Sequence, residues 1–244
     1  MPHFFIKSEN KENNIIRICD VDNYRHIAKS LRAKVGEKLL LIDENRIQYE
    51  TRIKSINASS IECEIVDSYL SERDLSFDLY LAQAPLRSDA QNLVIEKATE
   101  LGVRAVYPIL TNNCSVNKNI IEKKVEKWNK IMHEASKQCE RAVIPYCFEP
   151  NTLEELLNVN NFDKIIIFAE RYTEKSLKKY LTDSPILKGE KILAIIGPEG
   201  GFSQREFDYF RSLNLPLVSL GDLILRAETA VVVALGDIIY EYQG

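Results

Sequence analysis

Ile192-Leu193-Ala194-Ile195-Ile196, followed by Gly197-Pro198-Glu199-Gly200-Gly201-Phe202, is the stretch on which the reading of this chain turns. The apolar run reads as a strand. The glycines let the backbone turn tightly and let a ligand approach with no Cβ in the way, while Pro198 stiffens the bend. Ser203-Gln204-Arg205-Glu206 is a capping box, so a helix is predicted from about Gln204. A second unit of the same kind follows: a strand-like run over 217–220, then Gly221-Asp222-Leu223-Ile224-Leu225-Arg226, then a helix-like run from Ala227. Two such turns close together in sequence imply one ligand site built from neighbouring strand ends, where open α/β sheets bind small molecules.

Upstream the same rhythm extends over most of the chain. Strands are predicted over 77–82, 105–110 and 164–169, alternating with helices over 89–101, 120–139 and 173–181, as expected for a mostly parallel sheet covered by helices. The first seventy or so residues differ. Short strands are predicted over Ile15–Ile18, 38–43, 47–56 and 60–66, with one helix over 21–31, a pattern that fits a small β-barrel. Residues 68–76 are polar and read as the linker, placing the domains at 1–72 and 73–244.

Composition bounds the function. Of 244 residues, 45% are hydrophobic and 28% charged, which argues for a globular protein and against disorder. No apolar run is long enough to cross a bilayer, and the N-terminus lacks the basic-then-apolar layout of a signal peptide, so a cytoplasmic protein with no membrane partner is expected. Cys19, Cys63, Cys114, Cys139 and Cys147 include no C-x-x-C pair and read as free thiols. His133-Glu134 begins a zinc-protease pattern, but Lys137 stands where its second His belongs, so no metal is expected.

The net charge of -4 leaves no whole-chain basic footprint. Between Arg25 and Lys54, however, Arg25, Lys29, Arg32, Lys34, Lys38, Arg46, Arg52 and Lys54 face only Glu37, Asp43, Glu44 and Glu50, leaving either a phosphate-facing patch or an ordinary solvated surface. The turn at 197–202 offers Glu199 and no Lys, and neither phosphate-loop nor dinucleotide fingerprints occur, so a neutral or cationic ligand suits it better than a nucleotide phosphate. Arg226, at the start of the last helix, opposes the positive end of the helix dipole. Such a placement is explained by a nearby anion or polar substrate, or by simple pairing with Glu228. The last helix is apolar nearly all round, which implies burial in the core or in a subunit interface.

Ile196-Gly197-Pro198-Glu199-Gly200-Gly201, with Leu220-Gly221, Ile224-Leu225-Arg226 and Glu228-Thr229-Ala230, resembles the RsmE family, 16S ribosomal RNA uridine-N3 methyltransferases of the SPOUT (trefoil-knot) superfamily. The likeness extends through 96–103, Pro108, Gln138, Arg141, His26, Leu31 and Arg32.

The resemblance implies a PUA-like β-barrel that helps hold RNA, followed by an α/β trefoil-knot (SPOUT) methyltransferase domain. It implies S-adenosyl-L-methionine held by Phe168, Ala169 and Glu170, by Ile196, Gly197, Pro198, Gly200 and Gly201, and by Leu220, Gly221, Ile224, Leu225, Glu228, Thr229 and Ala230. Arg226 and Glu199 become the catalytic candidates. Arg25, Arg32, Arg87 and Arg141 become RNA contacts, 16S ribosomal RNA in the small ribosomal subunit becomes the partner, and the last helix a homodimer interface.

Several positions depart from the family pattern. Leu223 stands where an Arg is usual, Ser88 for Gly, Ala90 for Lys, Asn92 for an acid, Asn112-Asn113 for Glu-Arg, Glu140 for Gly, and Val143 and His3 for Arg. Most of these departures remove basic residues from positions implied to face RNA. They keep open a relative acting on another RNA, or one that binds cofactor or ribosome without turnover.

Overall fold

The computed structural model describes residues 3–159 and 161–242, together with the backbone but not the side chains of Ser88 and Val159. It divides into two compact units, one of residues 1–74 with 136–143, the other of residues 75–135 with 144–244.

The first unit is built on a six-stranded sheet. Its strands are β1 (His3–Phe5), β2 (Lys11–Glu12), β3 (Ile15–Ile18), β4 (Lys38–Ile42), β5 (Ile47–Ile56) and β6 (Ile61–Leu70), in the order β1-β4-β5-β6-β3-β2. All pairs are antiparallel except β1 with β4. Phe4, Ile16, Ile18, Leu39, Leu41, Ile53, Ile61 and Cys63 fill one core together with Ile27.

Two expectations are corrected here. The helix over 21–31 is α1 (Val21–Arg25), capped by the Asp20 carboxylate, which accepts the Asn23 N–H; a wider π turn follows at His26–Ser30. The linker over 68–76 starts later, because β6 runs to Leu70 and pairs back to Ile47. Cross-strand hydrogen bonding there overrides the polar composition from which the linker was read.

The second unit holds β7 (Asp78–Gln83), α2 (Ser88–Glu100), β8 (Ala105–Leu110), α3 (Lys118–Gln138) up to Ala135, β9 (Tyr146–Cys147), β10 (Asn151–Thr152), α4 (Leu153–Val159), β11 (Lys164–Phe168), β12 (Lys175–Ser176), α5 (Leu177–Asp183), β13 (Lys191–Ile196), α6 (Gln204–Ser212), β14 (Leu217–Ser219) and α7 (Ala227–Tyr242). Every strand pair is parallel, in the order β10-β8-β7-β13-β11-β14-β12 with β9 beside β8. Parallel strands need crossovers, and the crossover helices cover both faces. Hence β13 is apolar at every position after Lys191. Ile192, Ala194 and Ile196 belong to one core with residues of α2, α3, α5 and α7, while Leu193 and Ile195 belong to another with residues of α4 and α6. The helix expected over 173–181 begins instead at Leu177, where the Ser176 hydroxyl accepts the Lys179 N–H, and β12 takes up the residues before it. Among the described residues no helix is long and apolar enough to cross a membrane.

His3 is buried in the first unit, and neither ring nitrogen has a hydrogen-bond partner among the described residues. Burial pushes its imidazole pKa below the usual value. The unfolded chain therefore binds the proton more readily, and stability is complete above about pH 6.5 and lost as pH falls below it. Urea unfolding between about pH 7.5 and pH 5 should show this loss in the wild type and a smaller one in His3→Phe.

Candidate active site

β11 lies between β13 and β14, with Phe168 opposite Ile196 on one side and Val218 on the other. Because all three strands run the same way, the segments leaving them emerge side by side. These segments enclose a cavity of about 530 Å³, within the range of small-molecule sites. Its walls are Phe168, Ala169 and Glu170 after β11, Ile196 to Glu199 with Gly201 and Phe202 after β13, and Leu220, Gly221 and Leu223 to Glu228 with Ala230 after β14. Ala90 of α2 closes another side.

Nearly all the residues expected at a ligand site therefore meet in one pocket. Gly200 and Thr229 do not line it. Ala90, Phe202, Leu223 and Ala227 do, although they were not among the expected ligand contacts. Phe202 follows directly on the Gly-rich motif and could have been included. Ala90 is contributed by a helix more than one hundred positions upstream, and only the fold brings it there.

Local chemistry fixes the central turn. The Ser203 hydroxyl accepts the Glu206 N–H, and the Glu206 carboxylate accepts the Ser203 N–H at 2.7 Å, closing the capping box that starts α6. Within the turn, the Gly201 N–H donates to the Pro198 carbonyl. Gly201 sits at φ +66, and a Cβ there would lie 2.7 Å from Glu170 Oε1. The Glu199 carboxylate accepts the Arg87 N–H at 3.4 Å.

Among the described residues Glu170, Glu199 and Glu228 line the pocket against a single cation, Arg226, so its field is negative. Arg226 is exposed and forms no ion pair among the described residues; the structural pairing with Glu228 is not made. Its carbonyl accepts the Ala230 N–H, which fixes it to the first turn of α7. Nearby, burial pushes the Cys114 thiol pKa up, a hydrogen bond with the Val116 backbone opposes this, and the charge of Glu199 adds a smaller upward push, so that thiol is not a ready nucleophile.

The four arginines assigned to RNA separate. Arg25, Arg32 and Arg87 are exposed. Arg141 is buried, with its guanidinium 3.5 Å from the equally buried Asp74 carboxylate. This corrects the expectation of a surface contact: Arg141 is committed to packing within the first unit.

Residues 73–239 match the family described as RNA methyltransferase domain, and residues 18–66 match the one described as RNA methyltransferase PUA domain. The chain belongs to the RsmE family of RNA methyltransferases. It is 30% identical over 238 residues to the ribosomal RNA small subunit methyltransferase E of Rickettsia conorii, covering 96% of this chain and 93% of that one. It is 26% identical over 225 residues to the protein of the same name from Bacillus subtilis, covering 90% and 88%. A methyltransferase from Legionella pneumophila, solved with SAM bound, superposes with a TM-score of 0.85 at 25% identity over 98% of this chain and 97% of that one. The two folds of this RsmE-family chain are thus an N-terminal PUA-like domain and a SPOUT methyltransferase domain.

Replacing Gly201 by Ala should cost about 1–2 kcal/mol, because an L side chain is strained at that φ. Urea unfolding measures this. Adding Glu170→Ala should return only the steric part, leaving the backbone part in place.

Proposed function

We propose that the protein transfers a methyl group from S-adenosyl-L-methionine to N3 of a uridine in 16S ribosomal RNA of the small ribosomal subunit. The observation that carries this reading is the negative pocket at the ends of β11, β13 and β14, with an arginine on its wall that forms no ion pair among the described residues. The donor has a sulfonium and an ammonium against one carboxylate, so it is a net cation, and three glutamates suit it as they would not suit a phosphate. The SAM of the Legionella relative and the ribosomal RNA named for the Rickettsia and Bacillus relatives support the donor and the acceptor class.

When bound, the donor supplies an electrophilic methyl carbon. The protein holds and aligns it with the three pocket segments, and alignment supplies much of the acceleration. As the N3–C bond forms, the C–S bond breaks and its electron pair stays on sulfur as a neutral thioether, while the proton of N3 must leave. Glu199, oriented by the Arg87 N–H, accepts that proton directly or through water. Arg226 stabilises the negative charge that develops on the uracil ring. Arg25, Arg32 and Arg87 meet RNA phosphates. The last helix, with Tyr240 85% exposed, pairs two copies of the chain, and the ribosomal substrate places the protein in the cytoplasm.

A second reading is a knotted methyltransferase directed at another RNA, or a binding relative without turnover. It is favoured by the burial of Arg141 and by the neutral Asn112-Asn113.

Mass-spectrometric mapping of small-subunit RNA with and without the gene tests the reading, with a single N3-methyluridine expected to disappear. Methylation elsewhere supports the redirected enzyme, and donor binding with no methylation supports the binding relative. Arg226→Ala should fold and bind donor but lose at least about a hundredfold in methylation rate. A normal rate in that variant removes Arg226 from the chemistry.

A further inference from the structure

The Gly-rich turn is gripped from a side that does not face the pocket. In the connection between β8 and α3, Asn113 Nδ2 donates to the carbonyls of Gly200, at 3.2 Å, and Gly201, at 3.1 Å. Next to it, Asn112 Nδ2 donates to Ser203 Oγ at 2.9 Å, and the Asn112 N–H donates to Glu206 Oε1 at 2.9 Å. The buried Glu206 thus joins the capping box of α6 to the segment after β8. A Cβ on Gly200 would lie 3.1 Å from the Asn113 Cβ. Gly200 needs no positive φ and does not line the cavity, and the close approach of Asn113 is the contact that a side chain there would have to displace.

We propose that Asn113 is a positioning residue for the methyl-donor pocket: its carboxamide, shared between two successive carbonyls, sets the peptide planes of the Gly200–Phe202 turn. This rests on reading the cavity as the donor site. A peptide is planar, so fixing the Gly201 carbonyl also fixes the opposite Phe202 N–H, and both Gly201 and Phe202 are pocket walls. Residue chemistry at 113 calls for a donor: two acceptors face it, so an aspartate of the same shape would turn an oxygen toward two oxygens.

Donor binding by calorimetry to the full-length protein tests this, with Asn113→Ala, Asn113→Asp and the wild type compared and each variant's fold checked by circular dichroism and by melting without ligand. Asn113→Ala should weaken S-adenosylmethionine binding by about tenfold. Asn113→Asp should be weaker still at about pH 8, where its carboxylate oxygens face the two carbonyl oxygens. KM for the donor should rise more than kcat falls. Donor affinity equal to wild type in both variants, or equal loss in both, overturns the proposal. A wild type that binds no donor overturns the reading of the cavity itself, which keeps the two failures apart.

Discussion

The parallel pairing of β11 with β13 on one side and β14 on the other is the constraint from which the site follows. It aligns Phe168, Ile196 and Val218 and brings three separate connections to one edge of the sheet. Were β11 antiparallel to its neighbours, the segment carrying Glu170 would leave from the opposite edge, and the cavity would have no third wall. The same constraint forces crossover helices onto both faces, which is why β13 can be apolar almost throughout.

Inside that frame, recognition and architecture are divided among neighbouring residues. The requirement for glycine at 200 and 201 comes from protein atoms, Asn113 and Glu170, together with the backbone angle at Gly201. Chemical character comes instead from Glu170, Glu199, Glu228 and Arg226. On the proposed reading, a negative wall around one guanidinium that forms no ion pair among the described residues suits a cationic donor and an acceptor on which negative charge develops.

How much of this could be read from the sequence depended on the range of the interaction. β13, β14 and the start of α6 were visible because apolar runs, glycines and the Ser203–Glu206 box are local signals. Two walls of the pocket were visible because their residues fall in short Gly-centred motifs, while the Phe168–Glu170 wall came only with the family resemblance. Strands of two or three residues, such as β1, β9 and β10, exist only through pairing with a distant partner and leave no periodicity behind. The polar end of β6 was hidden for the same reason. The burial of Arg141 depends on a carboxylate at Asp74, and the placement of Ala90 on the packing of α2; composition reports neither. At Asn112-Asn113 the sequence displayed only a missing charge, whereas the folded chain displays four hydrogen bonds to the neighbouring turn.

The 3.1 Å approach between position 200 and Asn113 ties together two sites 87 residues apart in the chain. A side chain at 200 needs its neighbour at 113 to give by a few tenths of an ångström, and any other residue at 113, such as the Arg usual there in the family, keeps the two carbonyls paired only if it brings a donor to them.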